Sequence, residues 1–122
     1  MTTSPPVPRR GEVWLCDFDP TKGSEIRKTR PAVVLSSDSM GILPLKLVAP
    51  ITGWKEKFDG RLWFVKLAPT KANGLTKEGA VDLLQVRSLA VDGERFVEKK
   101  GHVTATKLED IVSALALVVE YQ

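Results

Sequence analysis

Residues 12–18 constrain the fold more than any other stretch, because they are apolar on both alternating faces of an extended chain. The apolar side chains fall on one face at Val13 and Leu15, and on the other at Trp14, Cys16 and Phe18. A strand that is apolar on both sides must be covered on both sides. We therefore predict that this strand lies in the middle of a sheet.

A second apolar strand is predicted at residues 32–35, and a polar loop separates the two strands. Such a loop cannot be buried, because its charged groups would lose their hydration. The flanking strands can nevertheless hold its charges in a fixed geometry. The loop is therefore our first candidate for the functional part of the chain.

The remaining pattern predicts a sheet followed by one helix. Further strands are expected at residues 45–51, 61–67, 80–86 and 95–103, the last two joined across Asp92-Gly93, with a turn at 36–41 and loops at 52–60 and 68–79. Thr106 and Glu109 fit a capping box at the start of the helix. Its apolar stripe comprises Leu108, Ile111, Val112, Leu115, Val118 and Val119. This order indicates an α+β fold with a strongly twisted sheet or small barrel.

The length of 122 residues fits one domain, which we place at residues 10–122 after a flexible tail at 1–9. No apolar run approaches the roughly 20 residues that span a bilayer, and the first ten residues lack the apolar core of a secretory signal. The single cysteine, Cys16, cannot form an intramolecular disulfide. These features favour a cytoplasmic protein without a membrane partner.

The net charge of +3 is unevenly distributed. Residues 46–77 carry an excess of five positive charges from Lys46, Lys55, Lys57, Arg61, Lys66, Lys71 and Lys77 against Glu56 and Asp59. Such a segment favours a polyanionic or acidic partner. A solvated lysine-rich face is the alternative interpretation.

Several chemistries lack the residues that they need. The one histidine, His102, excludes a two-histidine acid–base pair within a chain, and it is best interpreted as structural or surface. Asp17 and Asp19 make a weak metal site and suit turn roles better, so no metal is predicted. No glycine-rich phosphate-binding motif occurs, and no cofactor is predicted.

An arginine-centred site remains. Arg30 precedes Pro31, which biases the arginine to an extended backbone at the junction of loop and strand. An arginine held in this way can bind a phosphate through two parallel hydrogen bonds, although a solvated arginine is the default. Thr52 offers a hydroxyl just after the apolar run 48–51.

The chain resembles the MazF/PemK family of bacterial toxin endoribonucleases. The motifs that carry the resemblance are GEVW at 11–14, DFDPTKGSE at 17–25 and RPAVVL at 30–35. Weaker matches follow in the same order, namely VAPIT at 48–52, NGL at 73–75, Val81 and QVR at 85–87. An ordered set of this kind is far more specific than a lone glycine pattern.

The resemblance implies an SH3-like twisted antiparallel β-barrel or sheet with a C-terminal helix, as in MazF, PemK and CcdB-like toxins. It implies a cytoplasmic bacterial homodimer that cleaves single-stranded mRNA at a short sequence without a metal. Attack by the 2′-hydroxyl would leave 2′,3′-cyclic phosphate and 5′-hydroxyl ends, which would inhibit translation and growth. The expected partner is an acidic, MazE-like antitoxin, with which such toxins bind DNA.

Family roles carry over to Arg30 and Thr52 as catalytic residues and, more weakly, to Glu25. Arg30 would stabilise charge on the phosphate and act as the general acid. The identity of the general base stays open, with Glu25 and a phosphate oxygen as the candidates. The predicted RNA-binding residues are Lys22, Arg27, Lys28, Trp54, Lys55, Lys57, Lys71 and Lys77. Trp54 and Phe58 could stack on bases or simply pack beneath their loop.

Two alternatives to a nuclease stay open at this point. The same fold could serve as a non-catalytic module that binds nucleic acid or poisons a protein target such as gyrase. It could also be a structural or regulatory domain that has lost activity. The presence of both Arg30 and Thr52 favours the nuclease.

Overall fold

The computed structural model describes residues 7–40 and 43–121. Its elements are, in chain order, β1 (Glu12–Asp17), β2 (Thr29–Val34), β3 (Leu45–Gly53), β4 (Phe64–Leu67), β5 (Gly79–Asp82), β6 (Arg87–Ala90), β7 (Phe96–His102) and α1 (Ala105–Val118). Single 3-10 turns lie at Asp38–Met40 and Glu56–Phe58. Within these described ranges, no helix is long and apolar enough to cross a membrane.

The seven strands form one antiparallel sheet in the order β4-β5-β3-β2-β1-β7, and β6 also pairs with β3. The predicted α+β class, with an antiparallel sheet and a C-terminal helix, is confirmed. The prediction that the strands at 80–86 and 95–103 follow each other directly across Asp92-Gly93 is wrong, because the separate strand β6 lies between β5 and β7. The run at 80–86 is broken at Asp82, whose Oδ1 accepts a hydrogen bond from the Leu84 N–H.

Apolar clusters cover both faces of β1. Val13 belongs to the cluster that α1 covers, whereas Trp14, Cys16 and Phe18 belong to a second cluster on the opposite face. Because β1 also has β2 and β7 as neighbours, the predicted mid-sheet position is confirmed. Leu15 is only half-buried and lines a cavity.

The C-terminal helix is confirmed, but its predicted cap is wrong. The hydroxyl of Thr104, not Thr106, accepts the hydrogen bond from the Lys107 N–H, so the helix begins at Ala105. The helix buries Leu108, Ile111 and Ala114, with Leu115 and Val118 packed against the same cluster. Val119 lies beyond the last turn and is exposed, so the apolar stripe is shorter than predicted.

The domain boundaries stay predictions. Residues 1–6 of the predicted tail lie outside the described residues, as does Gly41 at the end of the predicted turn. Pro8 is buried, and the Arg9 N–H donates to Glu12 at 2.8 Å. The chain is therefore attached to the domain from residue 8 onward.

Candidate RNA-cleavage site

Arg30 and Thr52 come from neighbouring antiparallel strands. Strands β2 and β3 pair Ala32 with Pro50, and continuing this register by two residues places Arg30 opposite Thr52. Side chains that lie opposite each other in such a pair have Cβ atoms about 4.5–5.5 Å apart. In agreement, both residues line the same two cavities, of 300 and 520 Å³.

The Arg30 side chain is half-buried and anchored at one nitrogen. Its Nε donates to the carbonyl oxygen of Arg27 at 3.2 Å, which ties the guanidinium to the loop between β1 and β2. In the part of the chain that the structure describes, no carboxylate forms an ion pair with Arg30. The terminal nitrogens of the guanidinium are therefore available to a phosphate.

Thr52 is held more rigidly than the sequence suggested. It was predicted to open a loop, but β3 continues to Gly53, and the prediction of that boundary is wrong. The reason is that Thr52 pairs with Ala80 of β5 on the second edge of β3. A hydroxyl carried by a central strand is positioned more precisely than one carried by a loop.

The two cavities form one groove, because they share Arg30, Thr52, Gly53, Lys77 and Glu78. The smaller cavity extends to the apolar side chains Leu15, Ile51 and Leu75 and to Lys100. The larger and more open cavity extends to Trp54 and Lys55. We call the two together the Arg30–Thr52 groove.

The predicted RNA-binding bases divide into two groups. Lys55 and Lys77 line the groove. A methyl group at Gly53 would lie 3.6 Å from the Nζ of Lys77, so this ammonium is held beside the strand that carries Thr52. The other five predicted bases are exposed but line neither cavity of the groove, namely Lys22, Arg27, Lys28, Lys57 and Lys71. Lys46 is only 6% exposed, so it contributes little to the basic surface.

Glu25 lies in a different place. Its Oε1 accepts a hydrogen bond from the Lys22 N–H at 2.6 Å, within the loop between β1 and β2. The residue lines a separate cavity of 530 Å³ with Phe18 and Gln85. The structure therefore does not bring Glu25 into the groove with Arg30 and Thr52.

Trp54 packs against other side chains at the open end of the groove. Its ring meets Phe58 edge-on at 5.9 Å, and the ammonium of Lys66 lies 4.9 Å from the ring centroid. Phe58 in turn stacks on Phe64 at 4.0 Å. The indole N–H of Trp54 is buried without a hydrogen-bond partner among the described residues. Packing thus accounts for Phe58, while Trp54 both packs and lines the groove.

Three residues that the sequence analysis did not assign support the site. The side-chain amide of Gln85 accepts from the Ile26 N–H and donates to the Ser24 carbonyl, which holds the loop leading to Arg30. The family match at 85–87 was its only signal. Lys100 and Glu78 line the groove, but no sequence motif marked either one.

The other chemistry-bearing residues lie outside the groove. His102 is exposed and lines a cavity next to the start of α1. Asp17 and Asp19 accept hydrogen bonds within their own turn, from the Asp19 N–H and the Thr21 hydroxyl respectively. Burial raises the pKa of the Cys16 thiol to about 12, so it is not a nucleophile at neutral pH. Within residues 7–40 and 43–121, no group of three potential metal ligands occurs.

The comparisons with known proteins agree with this architecture. Residues 9–119 match the family model described as the PemK-like, MazF-like toxin of type II toxin–antitoxin systems. Endoribonuclease MazF9 of Mycobacterium tuberculosis is 35% identical over 115 residues, which cover 89% of this chain and 93% of that protein. The crystal structure of MazF from Deinococcus radiodurans has a TM-score of 0.78 at 26% identity, over 95% of this chain and 99% of that chain.

A MazE–MazF crystal structure from Deinococcus radiodurans matches with a TM-score of 0.72 at 27% identity, over 97% of this chain and 100% of that chain. These matches confirm the resemblance that the sequence motifs indicated. The chain therefore belongs to the PemK-like, MazF-like toxin family of type II toxin–antitoxin systems.

Proposed function

We propose that this chain is a toxin endoribonuclease that cleaves single-stranded RNA without a metal, and that Arg30 and Thr52 act on the scissile phosphate. The observation that carries the proposal is that both residues line the same two cavities beside Lys77. A free guanidinium and a hydroxyl at one point of a basic groove match the needs of a phosphate that gains charge. The relative named Endoribonuclease MazF9 supports the same activity.

The reaction starts from the substrate's own 2′-hydroxyl, which attacks the adjacent phosphorus. The 2′-oxygen forms a bond to phosphorus as the bond to the 5′-oxygen breaks, which leaves a 2′,3′-cyclic phosphate and a 5′-hydroxyl. Arg30 donates hydrogen bonds to the phosphoryl oxygens and gives a proton to the leaving 5′-oxygen. Thr52 adds one hydroxyl donor and orients the phosphate. Preorganised donors of this kind contribute about 10²–10³ in rate each.

RNA binding depends on the bases around the groove. Lys55 and Lys77 line it and contact the phosphates next to the scissile one. Lys22, Arg27 and Lys28, on the loop between β1 and β2, bind the flanking nucleotides together with Lys57 and Lys71. Trp54 offers a partly exposed ring at the open end of the groove. Glu25, in its separate cavity, stays a proposed contributor to catalysis.

The proposed setting is a bacterial cytoplasm, where the protein forms a homodimer and is inhibited by an acidic antitoxin. The solved MazE–MazF structure of a relative supports a partner of this class. An acidic segment that folds along the basic groove would displace RNA. Antitoxin and RNA should therefore compete for the chain.

The experiment is to incubate the protein with a long unstructured RNA in chelator and to map the new ends. We expect cuts at a short recurring sequence, and no cuts with Arg30→Ala. Arg10→Ala, at an exposed residue outside the groove, is the matched control and should cut normally. Intact RNA with the unchanged protein would instead indicate a binding module.

A further inference from the structure

The identity of the base that activates the 2′-hydroxyl can be narrowed from the residues that line the groove. Among the residues that the structure describes, Glu78 is the one carboxylate in the set lining either cavity of the Arg30–Thr52 groove, and it lines both. His102 and Glu25 line other cavities. A base must lie within hydrogen-bond reach of the proton that it removes, directly or through one water.

The strand register explains how Glu78 reaches the groove. Strands β3 and β5 pair Thr52 with Ala80 and Gly53 with Gly79. The Trp54 N–H donates to the Glu78 carbonyl at 3.1 Å, which extends this pairing by one more residue. Because side chains alternate along a strand, Glu78 projects on the same face of the sheet as Thr52.

The Glu78 carboxylate is oriented but not locked. Its Oε2 forms an ion pair with the Nζ of Lys66 at 3.2 Å, and both side chains are about half exposed. Lys66 is held in turn over the ring of Trp54. An exposed ion pair of this type stabilises little, so the carboxylate can accept a proton without disturbing the fold.

We propose that Glu78 is the general base of RNA cleavage, a role that rests on the proposed function of the Arg30–Thr52 groove. Glu78 accepts the proton of the 2′-hydroxyl while the 2′-oxygen bonds to phosphorus and the bond to the 5′-oxygen breaks. Arg30 protonates the leaving oxygen. The proton on Glu78 passes to solvent as Arg30 recovers its own from solvent, so the enzyme returns to its starting state.

The proposal predicts a specific pH profile. The charged groups that pair with Glu78 or line the groove with it are Lys66 from β4, Lys77 on its own loop, Lys55 after β3, Arg30 from β2 and Lys100 from β7. A carboxylate base works only when it is deprotonated, so it gives a rate that rises with pH and then levels. Glu78→Gln should slow single-turnover cleavage by about 100-fold and abolish the rise.

The test measures cleavage of a long single-stranded RNA in chelator from pH 4.5 to 8, with RNA binding measured in parallel. Glu78→Gln should bind RNA at least as tightly as the unchanged protein, since it removes a negative charge. Glu78→Asp should keep the pH rise at a reduced rate. Lys66→Met should also keep the rise, because it breaks the ion pair and leaves the carboxylate. Glu109→Gln, at an exposed helix position, is the matched control.

Three results would overturn the assignment. Glu78→Gln could cut within threefold of the unchanged protein, Lys66→Met could lose as much activity as Glu78→Gln, or Glu25→Gln could abolish the pH rise in its place. These outcomes differ from a failure of the proposed function. If the unchanged protein leaves RNA intact, or Arg30→Ala cuts normally, both the proposed function of the groove and the assignment of Glu78 as the base are wrong. If cutting needs Arg30 but not Glu78, only the assignment of Glu78 is wrong.

Discussion

Arg30 and Thr52 line the same two cavities, each two residues beyond the β2–β3 pairing of Ala32 with Pro50. The guanidinium and the hydroxyl thus come from adjacent strands whose backbones are fixed by the sheet. The loop between β1 and β2 adds one further restraint, through the Arg27 carbonyl that accepts from Arg30. The site is therefore a property of the strands, with the loop as its support.

Arg30→Lys tests the geometry of the guanidinium. The substitution keeps the positive charge but loses the planar fork that can grip two phosphoryl oxygens. We expect kcat to fall by about 10²–10³ while KM changes little. Steady-state kinetics on a short RNA that contains a mapped cut site measures this. A lysine variant with more than a tenth of normal kcat would show that charge alone is sufficient.

Thr52→Val tests the hydroxyl while preserving the β-branched shape that suits a strand. We expect turnover to fall by about 10–100-fold with RNA affinity nearly unchanged, because the hydroxyl acts on the reacting phosphate. Thr52→Ser restores a hydroxyl and should recover most of the rate. Weaker binding at unchanged turnover would assign Thr52 to substrate binding instead.

Lys77→Gln tests the electrostatic part of RNA binding. One phosphate contact fewer should weaken binding and reduce the slope of log affinity against log salt by about 0.7. Fluorescence titrations of a labelled RNA at several salt concentrations measure the slope. Lys107→Gln, on α1, is the control and should leave it unchanged. An unaltered slope for Lys77→Gln would show that Lys77 makes no contact with an RNA phosphate.

Glu12→Gln tests what the GEVW motif contributes to stability. Glu12 accepts from the Arg9 N–H and the Trp14 indole, and its other oxygen lies 2.7 Å from the Lys99 ammonium. Burial alone would raise the pKa of the Glu12 carboxyl, but hydrogen bonds from these three partners hold the pKa below its usual value. We expect the variant to lose about 1–2 kcal/mol of unfolding free energy at pH 7.

The sign of the pH dependence follows from that lowered pKa. The stabilisation from Glu12 is present above the pKa of the unfolded state, and it is lost as the pH falls through the lower pKa of the folded state. Urea unfolding at pH 7 and at pH 3 should therefore show a smaller difference between Glu12→Gln and the unchanged protein at pH 3. A difference that is constant or larger at pH 3 would contradict the assignment.

The features that depend on a local residue pattern could be predicted from the sequence. The double-faced apolar run of β1 predicted its central position, and the apolar stripe predicted α1. Features that depend on competition between near-equal local signals were missed. Thr104 caps the helix in place of Thr106, and Asp82 ends β5 inside an apolar run.

Features that depend on strand pairing could not be predicted from the sequence either. Glu78 reaches the groove because of the β3–β5 register, which no local pattern encodes. Lys46 is buried although it stands in a basic segment, and it pairs with Leu89 of β6, a short strand that was not predicted. The placement of Arg30 near Thr52 was expected from the family resemblance and could not be derived from spacing.

Attack by the 2′-hydroxyl is tested most directly by cleavage of two matched RNA oligonucleotides in chelator, one with a single 2′-deoxy nucleotide on the 5′ side of a mapped cut. We expect the all-ribose oligonucleotide to give a 2′,3′-cyclic phosphate and a 5′-hydroxyl, identified by mass spectrometry. We expect the deoxy oligonucleotide to bind equally well and to stay intact at that position. Cutting of the deoxy oligonucleotide at the same position, or ends that carry a 5′-phosphate, would contradict attack by the 2′-hydroxyl.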